Sequence, residues 1–158
     1  MDSKDDGFTL TILDPRLLGL YRYWRNKAGD RKMPARDDLD PIEMKAWLAN
    51  LVLVEFMGSV ENYRVKLEGT NIEAFYFARR TGRGIEALTS DSERDLMMTQ
   101  YRPSVEQGLP AFYGAEFENS EGKLSHQVKL LLPLSDDGVT VNMVLVGIYF
   151  KPPELLGR

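Results

Sequence analysis

The sequence predicts an α+β domain: a five-stranded antiparallel sheet with helices on one face, led by an N-terminal amphipathic helix. Three observations lead there. Two β-type runs, 51–56 and 63–67, are joined by a short turn. Three more, 112–118, 124–134 and 139–150, follow one another with only turn segments between them. Helical signals separate the pair from the triplet, so those helices must cross a sheet face, where they can close a pocket. At 158 residues the chain has the size of one domain, since single domains usually hold ~100–200 residues.

Residues 1–13 read as a flexible lead-in with a short apolar patch, Phe8, Leu10 and Ile12. Residues 14–39 read as a helix and a connector. Asp14-Pro15 is an N-cap followed by a first-turn proline, Leu17, Leu18, Tyr21 and Trp24 recur on one helical face, and Gly29 is the stop. This stripe must be buried, against the chain's own sheet or against a second copy. A homodimer that packs it across the outer sheet face, near 139–150, is the expectation.

Residues 40–151 form the main body, and 152–158 a tail. Asp40-Pro41-Ile42-Glu43 has the residues of a capping box and predicts a short helix through Met44, Trp47 and Leu48. Tyr63, Val65 and Leu67 alternate with Arg64, Lys66 and Glu68, which gives the second strand one buried face. Thr70-Asn71-Ile72-Glu73 is a second capping box, opening a helix with Phe75, Tyr76 and Phe77. A longer helix begins near 90–92, carries Met97, Tyr101 and Val105 four residues apart, contains Pro103 as an expected kink or split, and ends at Gly108. Asp137-Gly138 signals the last hairpin. The final run is apolar on both alternating faces apart from Thr140 and Asn142, so both sheet faces should be covered.

Composition excludes several kinds of chemistry. The chain has no cysteine, hence no disulfide, no thiolate metal site and no thiol to bond a flavin. No apolar stretch approaches the ~20 residues of a membrane helix, and the acidic start does not serve as a secretory signal. A cytoplasmic protein that binds no membrane is expected. The net charge of −4 opposes nucleic-acid binding by the whole body. Residues 16–36 differ, with seven basic side chains against the single acid Asp30. That run is a solvated helix face, a surface for an acidic partner or, with Tyr21, Tyr23 and Trp24 interleaved among the arginines, a nucleic-acid contact.

The order of elements resembles the PAS fold, a sensory and interaction module. Trp24, Pro34, Asp40-Pro41, Leu51-Val52-Leu53-Val54, Leu67-Glu68-Gly69-Thr70, Thr81-Gly82-Arg83 and Leu131-Leu132-Pro133-Leu134-Ser135-Asp136-Asp137-Gly138 are similar to a family of single-domain PAS proteins from alphaproteobacteria. Where that family usually has an Asp shortly before Thr-Gly-Arg, this chain has Arg79-Arg80. The resemblance implies a stand-alone regulatory module in bacterial signal transduction, working through protein contacts with itself or with a signalling protein such as a sensor kinase. Small-ligand sensing is the alternative. No catalytic residues transfer with it.

Candidate sites follow from residue types. Phe75, Tyr76, Met97, Tyr101 and Tyr113 are either core or the lining of a cavity for a small apolar ligand. His126 is the only histidine and joins that set as a possible haem ligand, against the ordinary reading of a hydrogen-bonded histidine near a strand start. No cofactor is otherwise expected. Arg79, Arg80 and Arg83 are anion-contact candidates or a solvated loop. Gly82-Arg83-Gly84-Ile85-Glu86-Ala87 has dinucleotide-loop spacing but follows a helix instead of a strand. One histidine without a nucleophile elbow makes no Ser-His-Asp set, and Glu116 with Glu118 reads as a wet strand face, so no catalytic or metal site is expected.

Overall fold

The computed structural model describes residues 7–76, 81–84, 91–118, 122 and 124–151. Helix α1 spans Pro15–Ala28, and strands β1 and β2 span Leu51–Phe56 and Tyr63–Glu68. Helices α2 and α3 span Thr70–Tyr76 and Asp91–Gln107. Strands β3, β4 and β5 span Ala111–Glu118, Leu124–Leu134 and Met143–Lys151. The five strands form one antiparallel sheet in the order β2-β1-β5-β4-β3. The last strand therefore inserts beside the first and is central, which explains why its residues from Val144 to Tyr149 are all buried or glycine.

Register sorts the side chains onto two faces. Leu51, Gly147, Leu130 and Phe112 lie in one cross-strand row, as do Leu53, Leu145 and Leu132. These rows lie on the face that α1 packs against at Gly147, and they define the outer face. Val52, Val146, Leu131 and Ala111 form a row of the opposite face, as do Ile148, Lys129 and Tyr113. This inner face is covered by α3, whose Tyr101 ring lies 5.7 Å from that of Phe56.

Helix α1 starts as its cap residues demand. The Asp14 carboxylate accepts the Arg16 backbone N–H at 2.9 Å, with Pro15 at the first turn, and Gly29 ends the helix at φ 60°. Its stripe is buried against its own sheet: Leu17, Leu20 and Trp24 are all 0% exposed. The Trp24 indole N–H donates to the Pro133 carbonyl at 2.9 Å, and Leu17 and Leu20 close over Gly147. The docking surface expected from Leu17, Leu18, Tyr21 and Trp24 is thereby corrected. Leu17, Tyr21 and Trp24 are consumed inside the chain and Leu18 is half-buried against the same core, because a sheet covered on both faces needs this stripe for itself. Residues 7–13 join the body too, through a 3-10 turn at Phe8–Thr11, a buried Ile12 and a Phe8–Tyr21 ring contact at 5.1 Å.

Three local expectations change. The helix expected from the Asp40 capping box is a run of turns ending in a 3-10 turn at Leu48–Asn50. Glu43 does not reach back to Asp40. It accepts the Tyr23 hydroxyl at 2.8 Å and pairs with Lys27 at 2.9 Å, while the Asp40 N–H donates to Tyr23 instead. Strand β5 starts at Met143 instead of residue 139, because the Asp137 carboxylate accepts the N–H groups of Val139 and Thr140 at 2.8 and 2.7 Å. Helix α3 runs through Pro103 as one helix and is not split there.

Candidate functional site

The inner face combines apolar side chains with three buried amides and amines. Strand β4 sends Gln127 and Lys129 inward, and α3 supplies Gln100 from above; they are 1%, 9% and 5% exposed. The Lys129 Nζ donates to the Gln100 side-chain oxygen at 2.7 Å and lies 6.0 Å from the Tyr101 ring centroid. The Tyr113 hydroxyl, from β3, donates to the Gln100 backbone carbonyl at 2.9 Å. Burial pushes the Tyr113 phenol above its ordinary range, so it stays a donor at physiological pH. Helix α3 is thus tied to the sheet at one point by two strands.

Polar groups of this kind are costly in an apolar layer unless their hydrogen bonds are made. An ammonium has three donors and no acceptor, and a glutamine amide has two donors and one acceptor group. Ammonium and amide N–H donors on this face suit a molecule that presents acceptor atoms, such as a carboxylate, a phosphate or a ring carbonyl. No cluster of three or more metal-ligating side chains occurs among the described residues.

The residues expected from sequence are distributed unequally. Tyr101 is buried on the inner face, with Met97 half-buried against the same core, and Tyr113 takes part in the α3 anchor. His126 is corrected. Its register row contains Lys151 and Glu116, and its parity with Val128 and Leu130 puts it on the outer face. A group held between the sheet and α3 is out of its reach, so His126 leaves both the pocket set and the haem reading. Arg83 is exposed beside β2, where its carbonyl accepts the Val65 N–H at 2.8 Å. The side chains of Phe75 and Tyr76, and all of Arg79 and Arg80, lie outside the described residues.

Gln100, Gln127 and Lys129 are absent from the sequence-based set. Alternation within 124–134 held the signal for two of them, because the face opposite His126 carries Gln127 and Lys129 inside an otherwise apolar strand. Gln100 had none, because only the docking angle of α3 decides which of its polar residues points at the sheet.

An antiparallel sheet that ends with its last strand in the centre, crossed by helices after the first hairpin, is the layout of a PAS-like α+β domain. A PAS domain family profile matches residues 14–149, and the chain belongs to that family. Similar folds occur in the crystal structure of the Rhodobacter sphaeroides light-oxygen-voltage protein, 15% identical with a TM-score of 0.51 over 76% of this chain and 70% of that one. The Vibrio cholerae VqmA dimer is 12% identical, with a TM-score of 0.55 over 74% and 52% of the two chains. A light-oxygen-voltage domain from a flavin-analogue study is 13% identical, with a TM-score of 0.54 over 72% and 84%. No curated protein matches the sequence.

Proposed function

We propose that the chain is a PAS sensory signalling module that reads a small acceptor-bearing molecule on its inner face and passes the result to a protein. The buried Gln100–Lys129 pair, beside Gln127 in an apolar layer, is the observation that carries this reading. A ligand whose acceptors replace the Gln100 oxygen at Lys129 would release α3 from the sheet. Such a molecule shifts the protein only by binding one packing of α3 better than the other. A purely structural sheet would gain more from apolar residues at these positions.

Further parts of the reading rest on the sequence. The Leu131 to Gly138 run supports kinship with the stand-alone alphaproteobacterial proteins, and with it a cytoplasmic, non-enzymatic role in contact with a signalling protein or with a second copy. Self-association would use side chains other than the α1 stripe; Leu10 and Leu13, 83% and 81% exposed, are apolar groups available beside it. The flavin named for one structural neighbour belongs to that neighbour. Here, any flavin would be held without a thiol bond.

Native mass spectrometry of the protein purified from its source cell tests the proposal. The wild type should carry a small-molecule mass that is released on denaturation and is missing from Lys129→Met. An equal bound mass in both proteins, or none in the wild type, would overturn it.

A further inference from the structure

We infer a second binding site, on the outer face of the sheet, for a small apolar monocarboxylate. Helix α1 covers the β4–β5 half of that face and leaves the β1–β2 corner to the connector before β1. There, a cavity of about 150 Å³ opens between Leu53, Leu145, Leu39 and Met44. No residue of α1 or of α3 lines it, and it shares no side chain with the inner-face site. Two apolar side chains at its rim, Leu48 and Leu67, remain 42% and 55% exposed, surface that an occupant would cover.

The corner is propped open by backbone. Gly69 donates its N–H to the Leu51 carbonyl at 2.8 Å, and a Cβ at this position would collide with the Ala49 carbonyl oxygen. That close approach fixes one wall of the cavity. An apolar cavity of roughly 150 Å³ accepts a group the size of benzene.

Charge selects the rest of the ligand. Arg36 lines the cavity and is half-buried, and its guanidinium makes no hydrogen bond or ion pair among the described residues. Of the two acids in its turn, Asp38 is already engaged, accepting from Arg31 and from the Ala35 N–H, both at 2.8 Å, and Asp37 is exposed and makes no ion pair with Arg36 among the described residues. A guanidinium with open donors beside an apolar hole suits one carboxylate held in a fork, with the body of the molecule in the hole.

Methyl-resolved NMR of the full chain, titrated with benzoate and with benzyl alcohol, tests the site. Both probes should move Met44 and Leu53 and leave Met97 in place, with benzoate binding on the order of millimolar, as suits so few atoms. Arg36→Gln should weaken benzoate about tenfold and change benzyl alcohol by less than about twofold. Arg36 is half-exposed, and an otherwise unchanged spectrum would show that the variant folds. Shifts confined to Met97, no shift at Met44, or equal benzoate affinity in wild type and Arg36→Gln would overturn the inference.

Discussion

Replacing Gly147 by alanine tests whether α1 belongs to its own sheet. Gly147 has ordinary strand backbone with no positive φ, so only space opposes a side chain there. Its Cβ would stand 2.7 Å from Leu17 Cδ2 and 2.8 Å from Leu20 Cδ2, closer than carbon atoms tolerate. Both leucines are fully buried, so neither can swing into solvent to make room. Overpacking of this kind costs about 1–3 kcal/mol, offset by about 0.4–1 kcal/mol from the stiffer unfolded chain. The net loss should be about 1–2 kcal/mol, or roughly 3–6 °C in Tm for a domain of this size. Urea titration of a double-mutant cycle with Leu17→Ala sharpens the result. Leu17→Ala alone should cost about 2–5 kcal/mol. It should cost less in the Gly147→Ala background, where the added methyl occupies part of the hole, with a coupling of about 0.5–3 kcal/mol. A stabilised Gly147→Ala, or strictly additive effects, would refute the placement of α1 over this strand.

Two further outcomes follow from local geometry. Asp14→Asn keeps a competent helix cap but removes a charge held below the ordinary carboxylate range, first by the Arg16 side-chain hydrogen bond. Because the folded pKa is depressed, the charge stabilises the fold above the unfolded carboxylate pKa and stops doing so as pH falls through the folded one. With Arg16 half-exposed, the wild type should exceed the variant by about 0.5–1 kcal/mol at neutral pH, and the gap should close below about pH 4 in urea titrations. A gap that widens toward acid would contradict this. Gly69→Ala puts a methyl against backbone that cannot yield, and should cost about 3 kcal/mol; a wild-type urea midpoint would show that the β1–β2 corner is built differently.

Much of the fold is legible in the sequence because local and long-range signals agree. Period-two alternation at Tyr63 and Val65 and the Asp14-Pro15 start each specify their element without help from elsewhere, whereas Leu67 leaves the buried face, 55% exposed, because the β1–β2 register shifts between Leu53 and Val54. The short helix after Asp40 fails for a reason no local pattern holds: its would-be capping carboxylate, Glu43, is taken by Tyr23 and Lys27 of α1. The start of β5 fails similarly, since Asp137 captures backbone donors that a tight hairpin would have used. His126 shows the limit for sites. Alternation correctly grouped it with Val128, Leu130 and Leu132, but which face of the sheet α3 covers is a tertiary fact. That fact moves the interest to Gln127 and Lys129, one residue away on either side of Val128.

Hydrogen–deuterium exchange of the wild type and Lys129→Met, each with and without a small-molecule extract of the source cell, probes the inner face most directly. The account predicts that the extract alters exchange in residues 127–131 of β4 and around Gln100 and Tyr101 of α3, in the wild type only. Unaltered exchange at those amides, or the same change in Lys129→Met, would contradict it.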